Sequence, residues 1–259
     1  MSPRAKKIIR ALAALLFWGA VWALLASLVG QELLLPGPAA VLRRFLQLLT
    51  SGSFWQTVLT SLLRVLCGIV AAALLGLLLA AAGAASPFVD AVIRPFMTVV
   101  KSAPIASFII LALLWLGRDV LPAFISGLMV LPVVWANVST GIAQTDPQLL
   151  ELVRVYRLPA SRVLRQIYIP SVLPHFRAAL LSALGFGWKA GITAEVLTVP
   201  KHSIGRVIYE SKLYLETTEL FAWTLAVLLI SLLIEHLLLR LIARLGKKGA
   251  PAHAETGTP

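Results

Sequence analysis

Val65-Leu66-Cys67-Gly68-Ile69-Val70-Ala71-Ala72-Ala73-Leu74-Leu75-Gly76-Leu77-Leu78-Leu79-Ala80-Ala81-Ala82-Gly83-Ala84-Ala85 runs without a charged side chain, and none occurs anywhere between Arg64 and Asp90. Roughly twenty apolar residues in helical conformation cross the hydrocarbon core of a bilayer. The stretch therefore reads as a membrane-spanning helix near 60–85. Within it Gly68, Ala72, Gly76, Ala80 and Ala84 recur every four residues, a run of small side chains along which a second helix can approach closely. Working outward, five more apolar stretches lie between charges, near 8–30, 92–116, 119–144, 175–199 and 220–243. The fourth in chain order is as clean as the second. The third is short, because only sixteen uncharged residues separate Lys101 from Arg118, so that helix starts earlier or is broken near Pro104. The expected fold class is all-α, a polytopic membrane protein with about six transmembrane helices.

Composition agrees. Hydrophobic residues make up 59% of the 259, charged residues only 13%, and mean hydropathy is +0.90; soluble domains carry about 25% charged residues. The net charge of +12 would suggest nucleic acid in a soluble chain. Here the basic residues gather at the ends of apolar runs, as membrane-flanking anchors do, and nucleic acid is set aside. Cys67 is the sole cysteine, which excludes an internal disulfide, a zinc cluster and a CxxC redox site. The apolar run up to Gly30 is longer than a signal-peptide core and reads as an uncleaved first helix.

Orientation follows from lysine and arginine in the connections. With the N-terminus inside, the cytoplasmic side holds Arg4, Lys6, Lys7, Arg10, Arg154, Arg157, Arg162, Arg165, Arg240, Arg244, Lys247 and Lys248. The other side holds Arg43, Arg44, Arg118, Lys201, Arg206 and Lys212, twelve against six. Both termini are then cytoplasmic. Residues 1–246 form the transmembrane domain, and 247–259, rich in Gly, Pro, Ala and Thr, read as a disordered cytoplasmic tail. Trp55, Trp115 and Trp223 fall near outer span ends, where an aromatic belt is expected.

Residues 146–170 are the polar exception between the fourth and fifth spans. Asp146 before Pro147 is a helix start, a capping carboxylate followed by proline at the first helical position. Leu149, Leu150, Val153 and Tyr156 share one face, with Glu151, Arg154 and Arg157 elsewhere. Leu158-Pro159 breaks the helix, a second short helix runs from Ala160 to Tyr168, and Pro170 ends it. The expectation is a cytosolic helix-turn-helix with an apolar face and four arginines.

Glu151, a turn position six residues on, nine more residues and then Ile167-Tyr168-Ile169-Pro170 resemble the cytoplasmic E-A-A, three residues, G, nine residues, I-x-L-P loop of binding-protein-dependent importer permeases. Leu152 and Val153 replace the two alanines, and Arg157 stands at the glycine, so Pro159 is expected to set the turn instead. Leu35-Pro36-Gly37-Pro38, Lys101-Ser102-Ala103-Pro104 through Trp115-Leu116-Gly117, and Trp188-Lys189-Ala190-Gly191 through Ala194-Glu195-Val196 are similar to the nitrate, sulfonate, taurine and bicarbonate branch of that family. The resemblance spans nearly residues 30–245. It implies a homodimeric permease in the bacterial inner membrane, two cytoplasmic ATPase subunits of the ATP-binding-cassette class and an extracytoplasmic solute-binding protein. Leu149, Leu150, Glu151, Val153 and Arg154, with Arg157, Leu158, Pro159, Ala160 and Ser161, would be the coupling element docking into the ATPase. The chain itself would be no enzyme and hold no nucleotide, cofactor or metal; it has no GxxxxGK[ST] phosphate loop.

Charges inside spans are costly and are functional candidates by default. Lys189 and Glu195, six apart, project about 120° from one another and cannot pair along one helix face. Each needs a neighbouring helix, water in a pathway or the substrate. Lys101, Ser102, Trp135, Asn137 and Trp188 join them as candidate pathway residues, although Lys101 can snorkel. Lys101 and Lys189 favour an anion, Glu195 opposes it, and relatives of this branch also resemble carriers of thiamine-precursor pyrimidines. A stand-alone secondary transporter is the nearer rival, but it has little use for an amphipathic cytosolic helix pair, and no two-half repeat is evident. An intramembrane enzyme would need convergent acids or metal ligands that the spans lack.

Overall fold

The computed structural model describes residues 3–247, and every regular element among them is helical. The helices are α1 (Pro3–Val29), α2 (Pro38–Leu49), α3 (Gly52–Ala85), α4 (Pro87–Ser102), α5 (Ile105–Ala112), α6 (Leu121–Ala143), α7 (Pro147–Tyr156) and α8 (Ala160–Val163). A π-helical segment, Leu164–Tyr168, follows, then α9 (Ile169–Thr198), α10 (Ile204–Leu213) and α11 (Thr217–Lys247). Five helices are long and apolar enough to cross a membrane, and α4 with α5 makes up to six as a span bent by 105°. The break falls where the sequence placed it: Ala103, ahead of Pro104, is extended at ψ 135°, because the proline ring excludes helical geometry from the preceding residue. The part of the expected tail beyond Lys247 lies outside the described residues.

The chain divides into two compact units. One comprises residues up to Ser61 with Glu195–Leu229. In it Gly30, at φ 65°, ends α1, and the Trp22 indole stacks on Phe221 while donating to the Pro36 carbonyl at 3.1 Å. Helix α2 buries Val41, Phe45 and Leu48 on a single stripe, and Arg44 pairs with Glu219. Trp223, expected in an aromatic belt, is buried, 4.9 Å from Phe54, and donates to Glu219 at 2.9 Å. Its span position was right, but the helix turns that face inward. Trp55 and Trp115 are exposed as a belt requires.

The other unit comprises Leu62–Ala194 with residues from Ile230. Helix α6 is its centre, with 13 of 23 residues buried. Since lipid is as apolar as leucine, such helices associate through close packing rather than by escaping water. A Cβ at Gly68 would lie 2.0 Å from the Ala123 carbonyl oxygen, and one at Gly76 3.2 Å from the Leu131 oxygen, so α3 meets α6 backbone to backbone. Gly187 and Gly191 of α9 likewise leave room for Ile69, Val130 and Val65. Ala72 and Ala80 are buried but Ala84 is exposed. At 100° per residue a four-residue repeat drifts about 40° each step, so the small stripe leaves the interface by its fifth member.

Candidate functional site

The 146–170 segment is a helical hairpin whose first helix, α7, buries none of its residues, whereas the second half buries Ile167 and, through Leu164, Tyr168 and Ile169, lines an apolar cavity with Leu77, Ala81, Val138 and Ile142. The Asp146 carboxylate accepts from the Gln148 amide at 2.8 Å, the cap expected from the sequence. Arg157 takes the left-handed conformation at φ 48°, ψ 47°, and its N–H caps the Val153 carbonyl. The turn is thus made by the residue at the glycine position itself. Pro159 instead caps α8 in extended conformation (φ −65°, ψ 144°), which corrects the expectation that it sets the turn. A second correction concerns Pro170, which does not end the second helix: α8 passes through the π-segment into α9 without interruption. A π-turn absorbs one extra residue and loosens the ladder immediately before the proline, where an amide donor is missing.

Within the hairpin, Leu150, Val153 and Leu158 are half-buried, whereas Leu149 and Tyr156 are exposed, as are Glu151, Arg154, Pro159, Ala160 and Ser161. Leu152 and Val155, outside the face read from the sequence, are exposed too, so the free apolar surface is broader than the periodicity indicated. Their signal was present: with Leu149 and Tyr156 they fall three and four residues apart.

The intramembrane candidates separate into three groups. Lys101 and Ser102 are exposed at the end of α4, before the bend. Lys189 is exposed on α9, sharing a face with Ser182, Phe186 and Thr193, while the opposite face is buried at Gly187, Ala190, Gly191 and Ala194. Trp135 and Trp188 are buried, and neither indole N–H has a hydrogen-bond partner; Asn137 is half-buried and donates to the Val133 carbonyl at 2.8 Å. Glu195 is fully buried: its Oε2 accepts from Ser61 Oγ at 2.7 Å and from the Gly205 amide at 3.2 Å. Ser61 Oγ in turn accepts from the Ile204 amide at 2.9 Å, and Ser203 Oγ from Arg206 at 3.1 Å. The carboxylate therefore sits at the start of α10, where unpaired amides and the helix dipole favour an anion. A Cβ at Gly205 would come within 2.3 Å of Glu195, so only glycine lets α10 approach this closely.

A pair that the sequence reading left unused is Asp90 and Arg94 of α4, joined at 2.7 Å, with the guanidinium carbon 5.9 Å from the centroid of the Trp135 ring. Their four-residue spacing at the start of the third apolar stretch was the available signal.

Spanning helices, a solvent-facing hairpin and intramembrane cations describe a transport protein, and comparison with known families decides which kind. The model of the binding-protein-dependent transport system inner membrane component family matches residues 72–248. The chain belongs to that family. It is the multi-pass membrane permease component of an importer rather than an enzyme. Similar proteins include SsuC of Escherichia coli (strain K12), named for aliphatic sulfonates transport, 29% identical over 76% of this chain and 76% of its own length. The taurine transport system permease protein TauC of the same organism is 24% identical over 83% of this chain and 80% of its own. The nitrate import permease protein NrtB of Synechococcus elongatus is 27% identical over 76% and 74%. The permease thus falls in the branch that its loop and flanking motifs suggested.

Proposed function

We propose that two copies of this permease form the translocation route for a small anionic solute, delivered by an extracytoplasmic binding protein and driven by two ATPase subunits docked on residues 146–170. The observation that carries this reading is the hairpin. Its first helix exposes Leu149, Leu152, Val155 and Tyr156 among arginines, a surface suited to the helix-in-groove mode of recognition. Its second helix is continuous with α9, which carries Lys189, so movement imposed on the hairpin has an unbroken helical path to the intramembrane cation. Both termini and the hairpin lie in the cytoplasm on the basic-residue distribution.

An anionic solute is supported from two directions. Lys101 and Lys189 are exposed within spanning segments, whereas Glu195 is enclosed by Ser61 and the start of α10, where it acts as a latch rather than as lining. The relatives named for sulfonates, taurine and nitrate carry solutes with an anionic group. The test of coupling is Glu151→Lys and Leu150→Asp. Each should leave the permease inserted and dimeric but weaken co-purification with the ATPase and uncouple hydrolysis from uptake. If both variants bind the ATPase and transport like the parent, residues 147–169 are not the coupling element.

A further inference from the structure

Helix α4 has three faces rather than two. Met97 and Val100 are buried. Val92, Phe96 and Val99 are exposed and apolar, a surface made for lipid. Roughly opposite them, at 100° per residue, Asp90, Arg94, Thr98 and Lys101 form a polar row, with Arg94, Thr98 and Lys101 exposed. The contact of Arg94 with the Trp135 ring sets this row beside α6. Trp135 lies eight residues, about 12 Å of helix rise, from the Ala143 end of α6. A cation that far into a span faces protein or water, not hydrocarbon.

Arg94 is also built to receive a ligand. Its guanidinium carbon lies over the Trp135 ring, 5.9 Å from the centroid, and Nε and Nη2 donate to Asp90 Oδ2 at 3.2 and 2.7 Å. Of the five N–H donors of an arginine, three have no hydrogen-bond partner among the described residues. The side chain is 67% exposed, that of Asp90 only 29%. The fork is therefore held from one edge and open on the other, the geometry that engages a carboxylate, sulfonate or nitrate oxygen pair.

We propose that Arg94 is an anion-binding station on the translocation route, towards its cytoplasmic end, with Asp90 as the resident counter-ion that holds the guanidinium between passages of solute. The inference rests on the reading of Lys189 as facing an anion route, and extends it to a second helix.

The test uses thiol accessibility in membrane vesicles containing the full chain in a Cys67→Ala background, with Thr98→Cys on the α4 row and Thr193→Cys on the α9 row. The probes are the sulfonate-bearing and the quaternary-ammonium methanethiosulfonate reagents, each rate normalised to a free thiol. Thr98→Cys should react faster with the anionic reagent, by less than the roughly tenfold expected of an uncompensated unit charge about 6 Å away, because Asp90 offsets part of the Arg94 charge. Arg94→Gln should lower the preference to what Lys101, on the same row, sustains against Asp90, Arg94→Lys should retain it, and Asp90→Asn should increase it towards tenfold. The Asp90→Asn arm decides the matter even where Arg94→Gln fails to insert. Reaction at Thr193→Cys with none at Thr98→Cys would place the α4 row in lipid and overturn this inference alone. Silence at both positions would overturn the anion route as well. Equal rates for the two reagents, or a preference indifferent to residues 90 and 94, would reject the station.

Discussion

At the scale of single residues, two charges six positions apart on one helix have different surroundings. Lys189 is exposed on a face with Ser182 and Thr193, and Lys189→Met should abolish uptake of the anionic solute while the complex still assembles. Normal transport by the Met variant, measured as solute accumulation in cells, would reduce the lysine to a packing accommodation. Glu195 lies where removal strands two donors, Ser61 Oγ and the Gly205 amide. Glu195→Leu should cost roughly 2–5 kcal/mol, read as a lowered melting temperature of the purified permease in detergent. Ser61→Ala should cost less, since it removes one donor and orphans one. A loss of uptake in Glu195→Leu with unchanged melting would instead put the carboxylate in the pathway. Sequence alone showed that both side chains needed partners; those of Glu195 include positions 61 and 205, separated from it by 134 and 10 residues.

At the scale of elements, the hairpin shows how a family turn survives the loss of its glycine. A non-glycine residue in the left-handed region costs about 1–2 kcal/mol, which Arg157 sustains because its N–H closes on Val153 and Leu158 donates to the same carbonyl at 3.2 Å. Arg157→Gly should therefore dock the ATPase at least as well as the parent. Arg157→Val, whose branched Cβ resists this conformation, should weaken docking in a pull-down with the ATPase subunit; equal retention of both variants would show that the turn geometry is not what the partner reads. The start of α7 was legible, since Asp146-Pro147 acts through local chemistry, whereas α2, which begins at Pro38, was not expected. The fate of Pro170 was not. Proline ends an isolated helix, but here a π-turn upstream and the continuous α9 carry the chain through it.

At the scale of the molecule, the basic residues predict a topology that two cysteines can check. In a Cys67→Ala background, His202→Cys should be labelled by an impermeant reagent from outside intact cells and Ser161→Cys should be spared; labelling of position 161 would sink the orientation. The span count was readable because the solvent is lipid: every crossing needs about twenty apolar residues, and charges mark their ends. The bend at Pro104 and the capping of α7 were readable for a local reason, since proline and a capping carboxylate act on their immediate neighbours. Which face of each span meets protein was not readable, because leucine serves equally against lipid and against another helix. Only the tertiary structure separated Lys189 from Glu195, turned Trp223 inward, and set Arg94 against Trp135 with its outer edge open. Those outcomes depend on contacts between residues far apart in sequence, and periodicity within one helix carries no information about its neighbour.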